Sequence, residues 1–304
     1  MEITKYIDPF SDIGFKAIFG REGQSEEILR EFLNEVFRGQ PMFDEIKEVK
    51  FINNERTKEH PENKTIIHDV LCTTDTGQRF IVEMQKGEQE QFLQRSIYYV
   101  SRGITDQAVR KPGESAWEYE LLPVAGVFVT TFPIAGLTDK LLLHLGLADL
   151  ESGELVARHV RLAFIQTSFF NKSEKECVTK FDKIIYTLKN MPTLTAIPFQ
   201  ETKNDIFARM DEAARYAALS PEERRIYDYE LKKARDRAAE LSTAERKGIA
   251  QGRAEGVAQG IAQGIAQGVA QGISDTARRM KEAGMDTELI SKFTGLTPSE
   301  IDKL

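Results

Sequence analysis

Residues 65–85 read TIIHDVLCTTDTGQRFIVEMQ, and two carboxylates, Asp69 and Glu83, lie inside this stretch. Residues 65–73 are rich in β-branched side chains, and residues 78–85 alternate polar and apolar. Asp75-Thr76-Gly77 between them supplies a turn, so the stretch predicts a β-hairpin. A three-residue loop ending in Gly is a common closure, because Gly accepts the left-handed conformation there. That loop pairs Thr74 with Gln78, and counting back along both strands sets Asp69 opposite Glu83. Facing Cβ atoms in such a pair are about 5 Å apart, and like charges so placed repel. The pair is unfavourable unless something positive sits between them. A hard divalent cation, which takes carboxylate oxygens, is the obvious candidate.

Side chains alternate across a strand, which sorts the hairpin into two faces. Ile66, His68, Val70, Cys72, Phe80, Val82 and Met84 form one face, apolar except for His68 and expected to pack on the core. Asp69, Arg79, Glu83 and Gln85 form the other, so Glu83 and Gln85 point the same way as Asp69. A half-exposed hairpin with a charged outer face is the competing reading, since short motifs recur by chance.

The pattern of Asp69 followed by Glu83-x-Gln85 resembles the PD-(D/E)xK nuclease superfamily, with Gln85 where most members carry Lys. The opening DPFSDIGFKAIFG (residues 8–20) resembles the N-terminus of its recombination-promoting nuclease and putative transposase branch, matching at Asp12, Gly14, Phe15, Lys16, Phe19 and Gly20. SEEILREFLNEVF (25–37) is similar to that family's first long helix. FLQRSIYYVSRGITDQ (92–107) is similar to its helix carrying Arg and Tyr, and residues 206–236 to its helical extension. The resemblance spans nearly the whole chain in the expected order. It departs from the superfamily at His68, where Pro usually precedes the Asp, and at Gln85.

The resemblance implies a mixed central sheet flanked by helices, with an all-α C-terminal extension. It implies a metal-dependent DNA endonuclease linked to recombination or mobile elements, using Mg²⁺, with Mn²⁺ as an alternative. Asp69, Glu83 and the Met84 backbone carbonyl would then hold the ion, and Gln85 would orient the attacking water in place of the usual Lys. Lys16, Arg95 and Arg102 are candidates for phosphate contact, with Asp12 and Tyr99 accessory. Arg95 and Arg102 are seven residues apart on a predicted helix and so share a face. A salt bridge from that face to Glu83 or a neighbour competes with a phosphate role.

Composition bounds the function. The chain has 304 residues, 41% hydrophobic and 29% charged, as in ordinary globular proteins. A net charge of −7 argues against a dedicated basic nucleic-acid binder without excluding a nuclease. Two distant cysteines, Cys72 and Cys177, read as reduced thiols with no zinc spacing. Met-Glu-Ile-Thr-Lys is followed by polar sequence rather than a secretion signal, so a cytoplasmic location is expected.

Further elements follow from periodicity. Helices are expected over 25–38, 89–109 and 174–189, and strands over 46–54, 121–131 and 159–168. Leu93, Ile97, Val100, Ile104 and Ala108 are the expected buried stripe of the second helix, and Val178, Phe181, Ile184, Ile185 and Leu188 that of the third. Four regions are expected: a nuclease-like domain (1–200), a charged helical extension (201–247), a Gly-Ile-Ala-Gln repeat (248–274) and a small helix-turn-helix-like unit (275–304). The repeat steps about 400° per four residues, so its Ile/Val stripe winds around the helix and favours a right-handed supercoil with a partner copy. Its Gln residues and scarcity of Leu and Phe argue against a membrane span. Ala277, Met280, Leu289, Ile290, Phe293, Leu296 and Ile301 are the expected core of the last unit.

A catalytically weak nuclease fold retained for DNA binding or oligomerisation is the rival function. A toxin or phage-defence nuclease would share the same chemistry in another setting.

Overall fold

In the computed structural model, residues 5–52, 69–107 and 120–304 are described. They divide into two compact units, one ending at Glu230 and the other running Leu231–Leu304.

The first unit is built on six strands: β1 (Val49–Phe51), β2 (Val70–Thr74), β3 (Arg79–Gln85), β4 (Val124–Thr130), β5 (Leu142–Ala148) and β6 (Leu155–Gln166). They lie in the order β1-β2-β3-β4-β6-β5. The β2–β3 hairpin closes as its turn residues require. Gly77 sits at φ +81° and donates to the Thr74 carbonyl at 3.0 Å, while Thr74 N–H donates to Gln78 at 2.9 Å. Val70 pairs with Val82 and Thr73 with Arg79, so the same register sets Asp69 beside Glu83. Residues 65–68 of the expected first strand lie outside the described residues.

β3, β4 and β6 are parallel, and antiparallel strands flank them on both sides. All seven residues of β4 are buried, as its continuous apolar run demands of a strand covered on both faces. The edge strand β5 had no counterpart among the sequence expectations. Its exposure rises along its length, which blunts the hydrophobic signal.

Five α-helices among the described residues complete this unit: α1 (Asp12–Phe19), α2 (Glu26–Val36), α3 (Phe92–Thr105), α4 (Lys180–Asn190) and α5 (Ile206–Ala213). Phe37, capping α2, stacks edge-on against Phe80 of β3, with ring centroids 5.8 Å apart. Ile81, on the other face of β3, joins Phe92 and Val100 of α3 in a second cluster with Val124, Phe128, Leu162 and Phe164. Both faces of the hairpin are therefore covered. The expected charged outer face is instead largely a core face, with the carboxylates confined to its end.

The buried stripe of α3 follows expectation at Val100, which is buried, and at Leu93 and Ile104, which pack against the same cluster, and departs from it at Ile97. Phe92, Ser96 and Val100 are buried, whereas Ile97 is about half exposed and Tyr99 packs against the cluster. Small residues let the helix approach: a Cβ on Gly103 would sit 3.0 Å from Val124. Ala108 lies outside the described residues. Val178 is exposed because α4 starts only at Lys180, where Thr179 and Asp182 form a capping box.

The last long helix, α6, runs Pro221–Glu282 without a break. Ser220 accepts from Glu223 N–H at 3.2 Å, and the Glu223 carboxylate accepts from Ser220 N–H at 2.7 Å, which closes its first turn. The expected boundaries at 247/248 and 274/275 fall inside this helix. The first unit ends within it at Glu230. In the second unit, seven repeat glycines from Gly248 to Gly272 have nothing within 4 Å of an added Cβ. α7 (Thr287–Thr294) ends at Gly295 in the left-handed conformation, and α8 (Pro298–Asp302) starts from a Thr297–Glu300 capping box. Ala277, Ile290 and Ile301 form the miniature core with Met280, Leu296 and Leu304. Leu289 and Phe293, expected there, are exposed. No helix among the described residues is long and apolar enough to cross a membrane.

Candidate active site

The site begins with a reciprocal exchange at the open end of the hairpin. Asp69 N–H donates to the Glu83 carboxylate at 3.3 Å, and Met84 N–H donates to the Asp69 carboxylate at 2.9 Å. Each acid thus bends toward backbone beside the other. The register explains the closeness. Thr74 N–H donates to Gln78 C=O across the ladder, and bonded pairs alternate along antiparallel strands, so Asp69 and Glu83, five places on, form a non-hydrogen-bonded pair, the type with the closer side chains.

Glu83 is 5% exposed. Burial, reinforced by the Glu83 charge, pushes the Asp69 carboxyl up to about 7, with Met84 N–H acting in the opposite direction. The like-charge repulsion therefore has two reliefs besides a cation: backbone N–H donors and a proton on Asp69. A positive ion between the acids is therefore not required for them to lie close.

The residues suit a hard divalent ion. Two carboxylates converge, and strand residues alternate in which neighbour they bond. Gln85 C=O accepts from Thr131 on the β4 side, so Met84 C=O faces the Asp69 side. Mg²⁺ usually keeps several waters and takes one or two carboxylates, which this donor set matches. Among the described residues no group of three or more His, Cys, Asp or Glu gathers as a fuller cage.

Gln85 shares the face of Glu83. Its Oε1 accepts from Arg95 Nη2 at 2.9 Å, and its Nε2 donates to Gly87 C=O at 3.0 Å. Arg95 also donates from Nη1 to Gln89 at 2.5 Å, and its guanidinium lies 4.8 Å from the Phe92 ring and 5.6 Å from that of Tyr99. Burial and the charges of Glu83 and Asp69 raise the Tyr99 hydroxyl, and Arg95 lowers it, so all three charges act on one ring. Arg102 is not part of this group. It pairs with Asp106 at 2.8 Å, the salt bridge to a neighbour that competed with a phosphate role.

α1 brings the N-terminal residues alongside. Ser11 caps it, accepting from Gly14 N–H at 3.0 Å. The helix end abuts the start of β2: a Cβ on Gly20 would lie 3.2 Å from Val70. Asp12 and Lys16 are exposed one turn apart, and both act on Asp69, the first raising and the second lowering its pKa.

Two residues escaped the sequence reading. Lys86, directly after Gln85, is held at 2.5 Å by Asp8, whose backbone N–H donates to the Tyr227 hydroxyl at 2.7 Å. Glu230 of α6 has its pKa raised by burial and by Asp12, with the Ile13 N–H acting in the opposite direction. Its Oε2 is buried without a hydrogen-bond partner among the described residues. Glu230 lies over 200 positions from Asp12 in a strongly charged helix, where no periodicity distinguishes it from solvated neighbours. Lys86 carried one signal, its adjacency to Gln85 on the alternate face.

The profile of a family described as PD-(D/E)XK nuclease family transposase matches residues 9–244, about three quarters of the chain. No curated protein and no solved structure matches it.

Proposed function

Because the chain belongs to the PD-(D/E)XK nuclease family transposases, we propose that it is a metal-dependent DNA endonuclease with its centre at Asp69 and Glu83. The observation that carries this is the pair of hydrogen bonds, Asp69 N–H to the Glu83 carboxylate and Met84 N–H to the Asp69 carboxylate, that sets both acids side by side at the end of one buried hairpin. Asp69, Glu83 and the Met84 carbonyl would hold Mg²⁺, with Mn²⁺ as an alternative. A bound ion of this kind lowers the pKa of its water and neutralises charge developing on a phosphate.

The chain's own groups do the rest. Glu83, buried and anchored to Asp69 N–H, keeps its carboxylate aimed at the shared point. Gln85, held at both ends of its amide, orients water with its remaining N–H and lone pair. Lys16 contributes positive charge toward the DNA side, and Arg102 a weaker share because Asp106 partly offsets it. Arg95, proposed from sequence for phosphate contact, is instead committed to Gln85 and Gln89 and adds charge without gripping the backbone. Asp12 and Tyr99 adjust the field around Asp69.

The repeat helix supports assembly with a second copy. Ile249, Val257, Ile261, Ile265 and Val269 are all more than half exposed along it. Two buried free cysteines fit a cytoplasmic setting, and recombination or mobile-element chemistry is the proposed context.

The test is Mg²⁺-dependent plasmid nicking by Asp69→Ala and Glu83→Ala, with melting transitions checked. Nicking should fall to background in both folded variants; unchanged nicking by either defeats the assignment. A second reading, a weakly catalytic DNA-binding or oligomerising module, is favoured by one observation: the acids are already satisfied by backbone N–H groups. Calorimetry separates the two, since no binding at millimolar Mg²⁺ or Mn²⁺ selects the second.

A further inference from the structure

We infer that Arg95 is a positioning residue for Gln85, supplying from α3 the fixed positive charge that a neutral amide at position 85 lacks. This rests on the nuclease reading above and deepens it.

Phosphodiester hydrolysis beside two carboxylates brings an anionic substrate to an anionic site. Gln85, two residues from Glu83 on the same face, carries no charge to offset this. Arg95 Nη2 reaches the Gln85 carbonyl oxygen at 2.9 Å. A guanidinium is always protonated, so its charge at this point is permanent. Drawing electron density toward the amide oxygen strengthens the amide N–H groups as donors. One of them is occupied by Gly87 C=O, which leaves one polarised N–H for water or phosphate.

Arg95 is held for this task rather than for gripping DNA. Gln89 takes Nη1 at 2.5 Å, and the guanidinium packs near the ring of Phe92, a core residue. Its Nε is buried with no hydrogen-bond partner among the described residues. Two N–H groups committed and one buried disfavour a two-pronged grip on a backbone phosphate. Other cations among the described residues are differently placed: Arg102 pairs with Asp106, Lys86 with Asp8, and Lys16 acts on the Asp69 side.

The experiment relocates the charge. Full-length wild type, Arg95→Met, Arg95→Lys, Gln85→Lys and the Arg95→Met/Gln85→Lys double variant are compared in single-turnover plasmid cleavage with Mg²⁺. DNA affinity is read separately by anisotropy in Ca²⁺. Arg95→Met should cleave about 100-fold more slowly, the usual scale for a misplaced catalytic group, with affinity nearly unchanged. Arg95→Lys should recover part of the loss, and the double variant most of it, because the charge returns to position 85. A merely structural role would lower the melting temperature and would not be rescued by Gln85→Lys. If Arg95→Met fails to melt cooperatively, Arg95→Gln replaces it in the same comparison. The inference is overturned if the Arg95 variant cleaves like wild type, if the double variant is no faster than the single, or if the loss lies in affinity. Absence of cleavage by wild type with Mg²⁺ or Mn²⁺ would instead overturn the nuclease reading beneath it.

Discussion

Replacing Asp69 with Asn should make the metal-free protein more stable in alkali, and the size follows from the site. The carboxyl stands at about 7 in the fold against an ordinary 3.8. Below 3.8 it is protonated in both states and favours neither. Between 3.8 and about 7 the folded protein keeps a proton that the unfolded chain has released, so stability falls as pH rises. Above about 7 the loss is complete. At about 1.36 kcal/mol per pH unit the gap is worth roughly 4 kcal/mol, a ceiling because part of the carboxyl is solvated. For a unit of this size that is at most about 10–15 °C in melting temperature. Asn keeps an oxygen for Met84 N–H but cannot ionise. Melting of wild type and Asp69→Asn, followed by circular dichroism from pH 4 to 8.5 in EDTA, should coincide at the acid end and diverge toward the alkaline end, the variant higher. Mg²⁺ at saturating concentration should lift the wild type alone. Parallel curves across the whole range would refute the claim that two acids share one buried pocket.

Gly126→Ala should destabilise the first unit by about 1–3 kcal/mol in urea melts, since its Cβ would meet Phe128 at 2.4 Å and Val100 at 2.7 Å, forcing α3 off the sheet. Gly264→Ala, with nothing within 4 Å, should raise helix content and stabilise the helix by about 1 kcal/mol unless a second copy packs there. Analytical ultracentrifugation then reads assembly, and loss of oligomer in that variant would mark the glycine face as the contact. Cys72, its thiol pushed up to about 12 by burial, should resist Ellman's reagent at pH 8 until denaturant is added, and prompt labelling of both cysteines in the native state would contradict the core position of β2.

Much of the first unit was legible because local chemistry dictates it. Asp75-Thr76-Gly77 determined the register, and the register placed Asp69 next to Glu83 by counting alone. What stayed hidden depended on partners distant in sequence. The odd face of the hairpin looked polar because Asp69, Arg79, Glu83 and Gln85 dominate it, yet Ile81 and Leu71 lie on that face under α3. The stripe of α3 is legible at Leu93, Val100 and Ile104, whereas Ser96 and Gly103 extend its packed side by smallness rather than by hydrophobicity. Ile97 and Phe293 fit their helices' apolar periodicity and yet lie exposed, because periodicity reports a face but not whether anything covers it. The hold of Arg95 on Gln85 joins strand and helix across ten residues, a distance no periodicity reports.

The hairpin that joins the acids is local, whereas the strands that bury it come from far along the chain. An isolated hairpin can close in microseconds, while parallel pairings of large sequence separation form much later. The two acids therefore meet while still hydrated, when their repulsion is slight. The electrostatic conflict arises only as β4 and α3 close over them, and it falls on the last stage of maturation rather than on the first.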